Sequence, residues 1–374
     1  MSRLLLLAIV IFSSLALWAQ TSDSETGDAN KSWTATTNSQ SDADSTRTTE
    51  SHSQSGNRTV DAQSIQHRGP DGSFQPYQDV EKETVQVDAT TVRTITRAFD
   101  RDANGGKTLV QVIEEERHTL PGGDSTVTSA ISNPDANGNL QLVKRQIEET
   151  KKTSPNVEET KTTILLPNLN GGLAPAVKTQ ERREQGANGT VQSQKTTLLP
   201  DGAGNWQVGE VRQSTTTQEG TNRSTQERVS QADSEGKLGL VSSTVTLQTQ
   251  SAPGEARNTV DTYSVEVPGA VPDGSLHLVG RATTAQSTSS TGQQTTEQQV
   301  QQVNPGDPAA GLRVTTVTVD MVRPGASGAQ ATRTVQARDA NGTYDSFGVI
   351  SVDTKKSDNI HAIQVQIAPS DKPK

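Results

Sequence analysis

The apolar residues of this sequence recur together with turn signals and show no sustained helical spacing. A turn that ends in glycine returns at intervals of 33, 33, 33, 33, 32, 38, 37 and 31 residues. Most of these turns contain Asn-Gly or Asp-Gly, which tolerate positive φ and match the twist of antiparallel strands, so they favour hairpins. The recurring glycines are Gly72, Gly105, Gly138, Gly171, Gly204, Gly236, Gly274, Gly311 and Gly342.

A second, looser turn lies about halfway through each unit. The residues between the turns are rich in Thr, Val and Gln, and β-branched residues fit a pleated sheet better than a helix. Each unit therefore predicts two strands of up to about 12 residues, longer than the usual strand. The second turns are Pro121-Gly122-Gly123, Ser154-Pro155-Asn156, Ala187-Asn188-Gly189, Gly220-Thr221-Asn222, Pro253-Gly254, Thr291-Gly292 and Pro324-Gly325.

The apolar residues concentrate just after each recurring glycine. Positions two and four residues after it share one face of a strand, because side chains alternate between faces. By the same rule, Val110, Val143, Val241, Val279 and Phe347, at position five, are predicted on the opposite face. The residues at positions two and four are Phe74, Leu109, Leu140, Leu142, Leu173, Trp206, Val208, Leu238, Leu240, Leu276, Leu278 and Tyr344.

These patterns predict an all-β fold, an extended antiparallel β-meander of about 33-residue hairpin repeats, flat or curved, with about 16 strands over residues 67–367. Neighbouring hairpins would complete an apolar stripe along one edge. A propeller-like or closed-barrel arrangement is the main alternative, and a largely disordered chain is another. An outer-membrane barrel is disfavoured, because the strands lack an apolar lipid-facing alternation. The intervals of 38, 37 and 31 residues indicate looser units toward the C-terminus, followed by a disordered tail at 368–374.

The N-terminus is typical of a secretory signal peptide over residues 1–19. Arg3 precedes an apolar run over residues 4–11, and Ala19, or alternatively Ala16, fits the cleavage site. The chain has no cysteine, which excludes lipoprotein processing, and no later apolar run could form a membrane span in the mature chain. We therefore expect an exported protein that is periplasmic, attached to the cell surface or secreted.

Composition limits how the mature chain could fold. Residues 20–66 are mostly Ser, Thr, Asp, Asn and Gln, so they predict a disordered spacer. Over the whole chain, hydrophobic residues make up 29% and aromatic residues 3%, so large buried clusters are scarce. Without cysteine there are neither disulfides nor thiolate metal sites.

Charge and motifs indicate few chemical functions. The net charge of −9, with both signs interspersed, makes nucleic acid an unexpected partner. The Asp-x-Asn-Gly turns resemble the start of a calcium loop, but no Glu follows at a fixed offset and turn chemistry explains the same residues. We therefore predict no catalytic residue, no cofactor and no metal site. The five histidines have no ligand spacing and are expected at the surface; they are His52, His67, His118, His277 and His361.

Two resemblances to known families concern the hairpins. The phrase from Pro134 to Leu140, Pro-Asp-Ala-Asn-Gly-Asn-Leu, resembles the Asp-x-x-Gly-Asn phrase of bacterial YD (Rhs) repeats. Those are extracellular β-hairpin repeats that build shells, and the resemblance covers only the turn. The Lys-, Glu- and Thr-rich strands are similar in style to the single-layer sheets of spirochaete outer surface lipoproteins, which implies a sheet with two polar faces.

Two hypotheses for function follow. The first is an exported structural or surface-interaction protein, adhesion-like or scaffold-like, that binds a protein or glycan through its long polar faces and the unpaired edges of its terminal strands. The second is a secreted carbohydrate-active or carbohydrate-binding protein on a propeller-like fold. An enzyme would need convergent polar groups in a unit that breaks the repeat, and the sequence indicates no such unit.

Overall fold

A computed structural model describes residues 30–38, 46–69, 71–102, 104–325, 328–338, 344–357 and 360–368. The predicted signal peptide and residues 369–374 of the predicted tail lie outside these ranges. The described residues form strands joined by turns, with two short 3₁₀ turns at Ala187–Gly189 and Pro308–Ala310.

The all-β hairpin meander predicted from the sequence is confirmed. The described strands are 9 to 15 residues long, and there are more of them than the 16 expected. Their bounds are β1 Asn30–Asn38, β2 Thr46–Ser55, β3 Arg58–Arg68, β4 Phe74–Gln86, β5 Thr91–Arg101, β6 Lys107–Thr119, β7 Ser125–Pro134, β8 Leu140–Ser154, β9 Val157–Pro167, β10 Leu173–Gln185, β11 Val191–Pro200, β12 Trp206–Glu219, β13 Asn222–Ala232, β14 Leu238–Ala252, β15 Glu255–Ser264, β16 His277–Thr288, β17 Gln294–Val303, β18 Leu312–Gly325, β19 Gly328–Arg338, β20 Tyr344–Ser357 and β21 Ile360–Ala368.

All of these strands belong to one sheet, in which each strand pairs antiparallel with the next one along the chain. Strand β1 also pairs in parallel with β21, so each described strand has a neighbour on both sides. The propeller-like alternative does not hold, because a propeller has separate sheets as blades. The expected unpaired edges of terminal strands are likewise not found among the described strands.

Within the predicted disordered spacer over residues 20–66, residues 30–38 and 46–66 contain strands, while residues 20–29 and 39–45 lie outside the described ranges. Strands β2 and β3 form a hairpin around Gly56, whose φ is +60°, and β3 pairs with β4. Within the hairpin, His52 lies directly opposite Asp61, and their side chains are 2.6 Å apart. A polar segment forms strands here because the adjacent sheet supplies backbone partners, a contribution that composition does not reveal.

The recurring glycine turns from Gly72 to Gly311 lie together at one end of the strands, and we call this end of the sheet the glycine edge. In the turn at residues 135–139, Oδ1 of Asp135 accepts backbone hydrogen bonds from Asn137 (2.8 Å) and Asn139 (2.9 Å). The N–H groups of Asn139 and Asn137 thereby lower the pKa of Asp135. Side-chain oxygens at four equivalent turns accept the same two bonds, at Asp102, Asn168, Asp201 and Asp233. The aspartates of these turns therefore stabilise the turns by accepting hydrogen bonds from their backbone N–H groups.

A β-bulge recurs in the strand that leaves each glycine turn. Between β7 and β8, Ile131 lies opposite Lys144 and Ser132 opposite Leu142, so Val143 is an extra residue without a counterpart. A bulge bends its strand and increases the local twist. The equivalent extra residues are Tyr77, Val110, Ala176, Gly209, Val241, Val279, Thr315 and Phe347.

The bulge changes which positions share a face. Residues directly opposite in antiparallel strands lie on the same face, and the pairings place Leu142 and Arg145 on one face although they are three residues apart. In the units where the extra residue is at position five, positions two, four and seven after the turn glycine therefore lie together, on what we call the band face; after Gly311 the extra residue, Thr315, comes one position earlier. Position five, which was expected on the opposite face, is the extra residue of the bulge, and the pairings give it no counterpart across the ladder.

Little apolar surface is fully buried, because the sheet is a single layer. Among the residues with described side chains, the buried apolar ones are Val112, Val229 and Val303. Side chains that lie directly opposite each other on neighbouring strands stabilise the sheet instead. Asp261 and Arg281, for example, form two hydrogen bonds of 2.6 and 2.7 Å. Such cross-strand pairs are the unit of sheet stabilisation.

The longer intervals near the C-terminus do not reflect looser strands. Strands β16 and β17, of 12 and 10 residues, pair without a register shift. The additional residues lie in two long loops at the glycine edge, residues 265–276 between β15 and β16 and residues 304–311 between β17 and β18.

We expect Val112→Ala to lower the free energy of unfolding by about 1.5 to 2 kcal/mol, because two buried carbon atoms are lost. Val112 is 6% exposed, whereas Val87 is 51% exposed. Val87→Ala is therefore the matched control and should change stability by less than about 0.5 kcal/mol. Urea denaturation measures both, and equal losses would contradict this account of the sheet interior.

Candidate functional site: the apolar band and the long-loop hollow

Apolar side chains line the glycine edge on the band face. We call the residues at positions two and four the apolar band, with their neighbours Phe99, Leu198 and Tyr263 on the returning strands. Phe99 lies opposite Leu109, Leu198 opposite Val208 and Tyr263 opposite Leu278. Much of the band faces solvent: Leu140 is 50% exposed, Leu238 42% and Leu240 41%. The predicted apolar stripe thus exists, but it is only partly covered.

Cationic side chains stack on the aromatic rings of this band. Lys178 Nζ lies 4.3 Å from the centre of the Trp206 ring, and the Arg47 guanidinium lies 4.3 Å from that of Phe74. Lys107 lies 5.1 Å from the Phe99 ring. These contacts cover one side of each ring with a positive charge, a favourable cation–π arrangement.

Asp79 occupies position seven of the first unit and is 5% exposed. Its Oδ2 accepts hydrogen bonds from Arg101 Nη2 at 2.6 Å and Nε at 2.9 Å, and Lys107 Nζ lies 3.0 Å away. Its Oδ1 accepts a 2.9 Å bond from Ser64. The equivalent position in the next unit is Val112, so this ion-pair cluster breaks the repeat, and nothing in the sequence pattern marked it.

The negative charge of Asp79 is compensated within the cluster by Arg101 and Lys107. Burial raises the pKa of Asp79, but hydrogen bonds from Arg101, Lys107 and Ser64 lower it by more, so the carboxyl is held below its ordinary value of 3.8. Hydrogen bonds to Glu81 and Asp79 raise the pKa of Lys107. Arg101 also donates to the carbonyl of Gly105, at 2.6 Å. The cluster connects strands β3, β4, β5 and β6 and the adjacent turn. Its role is therefore structural.

The histidines lie apart from one another, each with its own neighbours. His52 is close to Asp61, His67 makes an edge-to-face contact with Tyr77 at 4.3 Å, and His118 contacts Thr91 at 3.1 Å. His277 Nε2 lies 3.0 Å from both carboxylate oxygens of Asp273. The side chain of His361 is outside the described part. In that part, no three groups of the kinds that bind metals lie together.

The two long loops meet at the glycine edge and form a concavity of about 390 Å³, which we call the long-loop hollow. Gly269, with φ +81°, approaches the backbone of Pro305 so closely that a Cβ there would overlap its carbonyl group. His277 and Asp273 lie at the margin. The apolar lining consists of Val265, Val267, Ala270, Val271, Pro308 and Ala309.

A second concavity, of about 380 Å³, lies near the opposite edge of the sheet. Its lining is polar and includes Gln248, Asn258, Thr284 and Gln286. Oδ1 of Asn258 is buried there and has no hydrogen-bond partner among the described residues. Asn258 itself is only half-buried, and this surface is continuous with the polar halves of the neighbouring strands.

No protein-family model matches the chain, and no curated protein is similar to it. Among solved structures, a porin-like protein from Bacteroides uniformis is similar at 10% identity, covering 78% of this chain and 96% of that one, with a TM-score of 0.15. A likeness at this TM-score supports no assignment. The proposed resemblance to YD (Rhs) repeats has no support from these comparisons. Within the described residues, no helix has the length and apolarity needed to cross a membrane.

We expect Asp79→Asn to lower the free energy of unfolding at pH 7 by about 2 kcal/mol, because bonds between charged partners are lost. The folded pKa of Asp79 lies below the ordinary value of 3.8, so its contribution is present above pH 3.8 and disappears as the pH falls through the folded pKa. The variant should therefore lose less stability than the parent as acid is added below pH 3.8. Urea denaturation across that range measures the difference.

Glu116→Gln is the matched control for this prediction. Glu116 pairs with Arg93 at 2.9 Å, but both side chains are about half exposed. Exposed pairs contribute about 0.2 to 1 kcal/mol. Equal losses in the two variants, or an unchanged acid response in Asp79→Asn, would contradict a stabilising role for the Asp79 cluster.

Proposed function

We propose that this chain is an exported structural or surface-interaction protein that holds a partner protein against its apolar band. The observation that carries the proposal is the exposure of apolar side chains at equivalent positions of two repeats, at Leu140 in one and at Leu238 and Leu240 in another. Contiguous exposed apolar surface on a soluble protein marks an interaction site more often than it marks packing. In the repeats between them the same positions are also apolar, and Leu173, Trp206 and Val208 are half-buried there.

The geometry favours a protein partner over a glycan. Sugars bind proteins through open aromatic ring faces, but Lys178 covers one face of Trp206 and Arg47 covers one face of Phe74. The leucines that remain exposed offer no hydrogen bonds to sugar hydroxyls. Apolar side chains of another protein match them better, with the cations placed at the margin as in many protein interfaces.

Export is the part of the proposal that rests on the sequence alone. Arg3, the apolar run over residues 4–11 and the small residue Ala19 have the order of a secretory signal. A chain without cysteine that is rich in Thr, Ser and Gln is compatible with a periplasmic, surface or secreted location.

Photo-crosslinking in the cells that produce the protein tests the apolar band. A photoreactive residue in place of Leu140 or Leu238 should form an adduct with the same protein, because both positions lie on the band face. The adjacent residues Gln141 and Gly239 are exposed on the other face and are the matched controls. Mass spectrometry identifies the adduct.

Three outcomes would overturn the proposal. They are the absence of an adduct at Leu140 and Leu238, equal adducts at Gln141 and Gly239, and adducts with glycan only. Clear turnover of glycosidase or esterase substrates by the purified chain would contradict the proposal that the chain is a structural protein. It would favour the carbohydrate-active alternative.

A further inference from the structure

The long-loop hollow is the place where the repeat is interrupted by added residues. The intervals that contain its loops are 38 and 37 residues, against 33 for the regular units. The additions leave β16 and β17 regular and lie wholly in the loops at the glycine edge. Added residues that keep two loops in backbone contact, through Gly269 and Pro305, make a defined surface that the other units lack.

One carboxylate, that of Asp273, lines the hollow, and two more, Glu266 and Asp307, are next to lining residues in the sequence. Glu266 is exposed beside Val265 and Val267, and Asp307 precedes Pro308. Asp273 lies at the margin, where the hydrogen bond from His277 and that from the backbone of Ser275 lower its pKa and keep it ionised. Arg313 lies 3.3 Å from Asp307, so that carboxylate is partly neutralised. The negative charge near the hollow therefore comes from Glu266 and from Asp273, whose two carboxylate oxygens both lie 3.0 Å from His277.

We propose that the long-loop hollow binds an apolar side chain of a partner protein that is flanked by lysine or arginine. The argument is complementarity: a concavity of about 390 Å³ is close to the lower limit for ligand pockets, and its lining is apolar with few polar groups. The carboxylates at its margin attract cations and disfavour acidic segments. This site is separate from the apolar band, and its occupancy does not depend on the band.

The regular turn at residues 70–73 gives an internal comparison. Both it and residues 272–275 read Pro-Asp-Gly-Ser, and in both the aspartate Oδ1 accepts the serine N–H, at 3.0 Å for Asp71 and 2.8 Å for Asp273. The first turn has no long loop above it. The two aspartates therefore differ in whether they border the long-loop hollow.

Fluorescence anisotropy with the full chain tests the proposal. The probe is a short labelled peptide of alternating leucine and lysine, and the reference peptides replace lysine by glutamate or leucine by serine. The leucine–lysine peptide should bind at least about tenfold more tightly than either reference, a difference of about 1.4 kcal/mol. Equal binding of all three peptides, or no binding of any, would overturn the proposal.

Matched variants locate the binding. Val271→Ser and Asp273→Asn should each weaken the leucine–lysine peptide severalfold, whereas Leu169→Ser and Asp71→Asn should leave it unchanged. Val271 is 90% exposed and Leu169, on a regular turn, is 106% exposed, so neither serine substitution removes packing from the sheet. Equal effects of the two serine variants would place the peptide elsewhere and overturn the proposal.

A third pair tests whether the shape of the hollow matters. Gly269→Ala should separate the two loops and weaken the peptide, because the added Cβ overlaps Pro305. Gly236→Ala has a similar positive φ, +80° against +81°, but its Cβ meets nothing within 4 Å. The two substitutions place alanine at the same positive φ and differ in the contact with Pro305, so unchanged binding in Gly269→Ala would contradict a preformed site. Successful peptide binding together with failed crosslinking at Leu140 would retain this site and reject the apolar band.

Discussion

Backbone pairing between neighbouring strands is the interaction on which the rest of this structure depends. In a single layer both faces meet solvent, so few side chains can be removed from water, and Val112, Val229 and Val303 are the buried apolar residues with described side chains. The ladder is instead supported by opposite pairs such as Asp261 with Arg281, and by turns in which one aspartate holds two backbone N–H groups. A sequence with 29% hydrophobic residues is sufficient for such a sheet.

The recurring bulge decides how that sheet distributes its side chains. An extra residue such as Val143 resets the alternation, so that apolar positions before the bulge and position seven after it share the band face. Position seven is exposed at Arg145 but buried in three other units, at Val112, at Ser243 and, in the first unit, at Asp79. An ionised carboxylate is stable there because Arg101, Lys107 and Ser64 all reach it.

The sequence was sufficient to predict what local chemistry determines. Asn-Gly and Asp-Gly turns and runs of β-branched residues predict hairpins, and the leucines after each turn predict an apolar stripe. The bulge was not predictable, because Val143 is as suitable for a regular strand as for an extra position. The Asp79 cluster was missed for a different reason: its members lie on β3, β4, β5 and β6, and only the register brings them together. Strands β2 and β3 were missed because pairing with β4, not composition, supports them.

The repeat and its interruption have different physical roles. Regular units must all satisfy the same pairing and turn geometry, so they provide a long surface on which the apolar positions of the band recur. The loops at residues 265–276 and 304–311 are free of that restriction, because their residues lie beyond the ends of the strands. Apart from the backbone hydrogen bond from Val265 to Val241, the loop at residues 265–276 takes little part in the ladder, so these loops can acquire a specific shape at little cost to the sheet. The close approach of Gly269 to Pro305 indicates that the two loops have acquired a specific shape, because the strands they connect do not require the loops to be in backbone contact. The two long loops, which cause the variation in repeat length, are therefore the part of the described structure that departs most from the regular repeat.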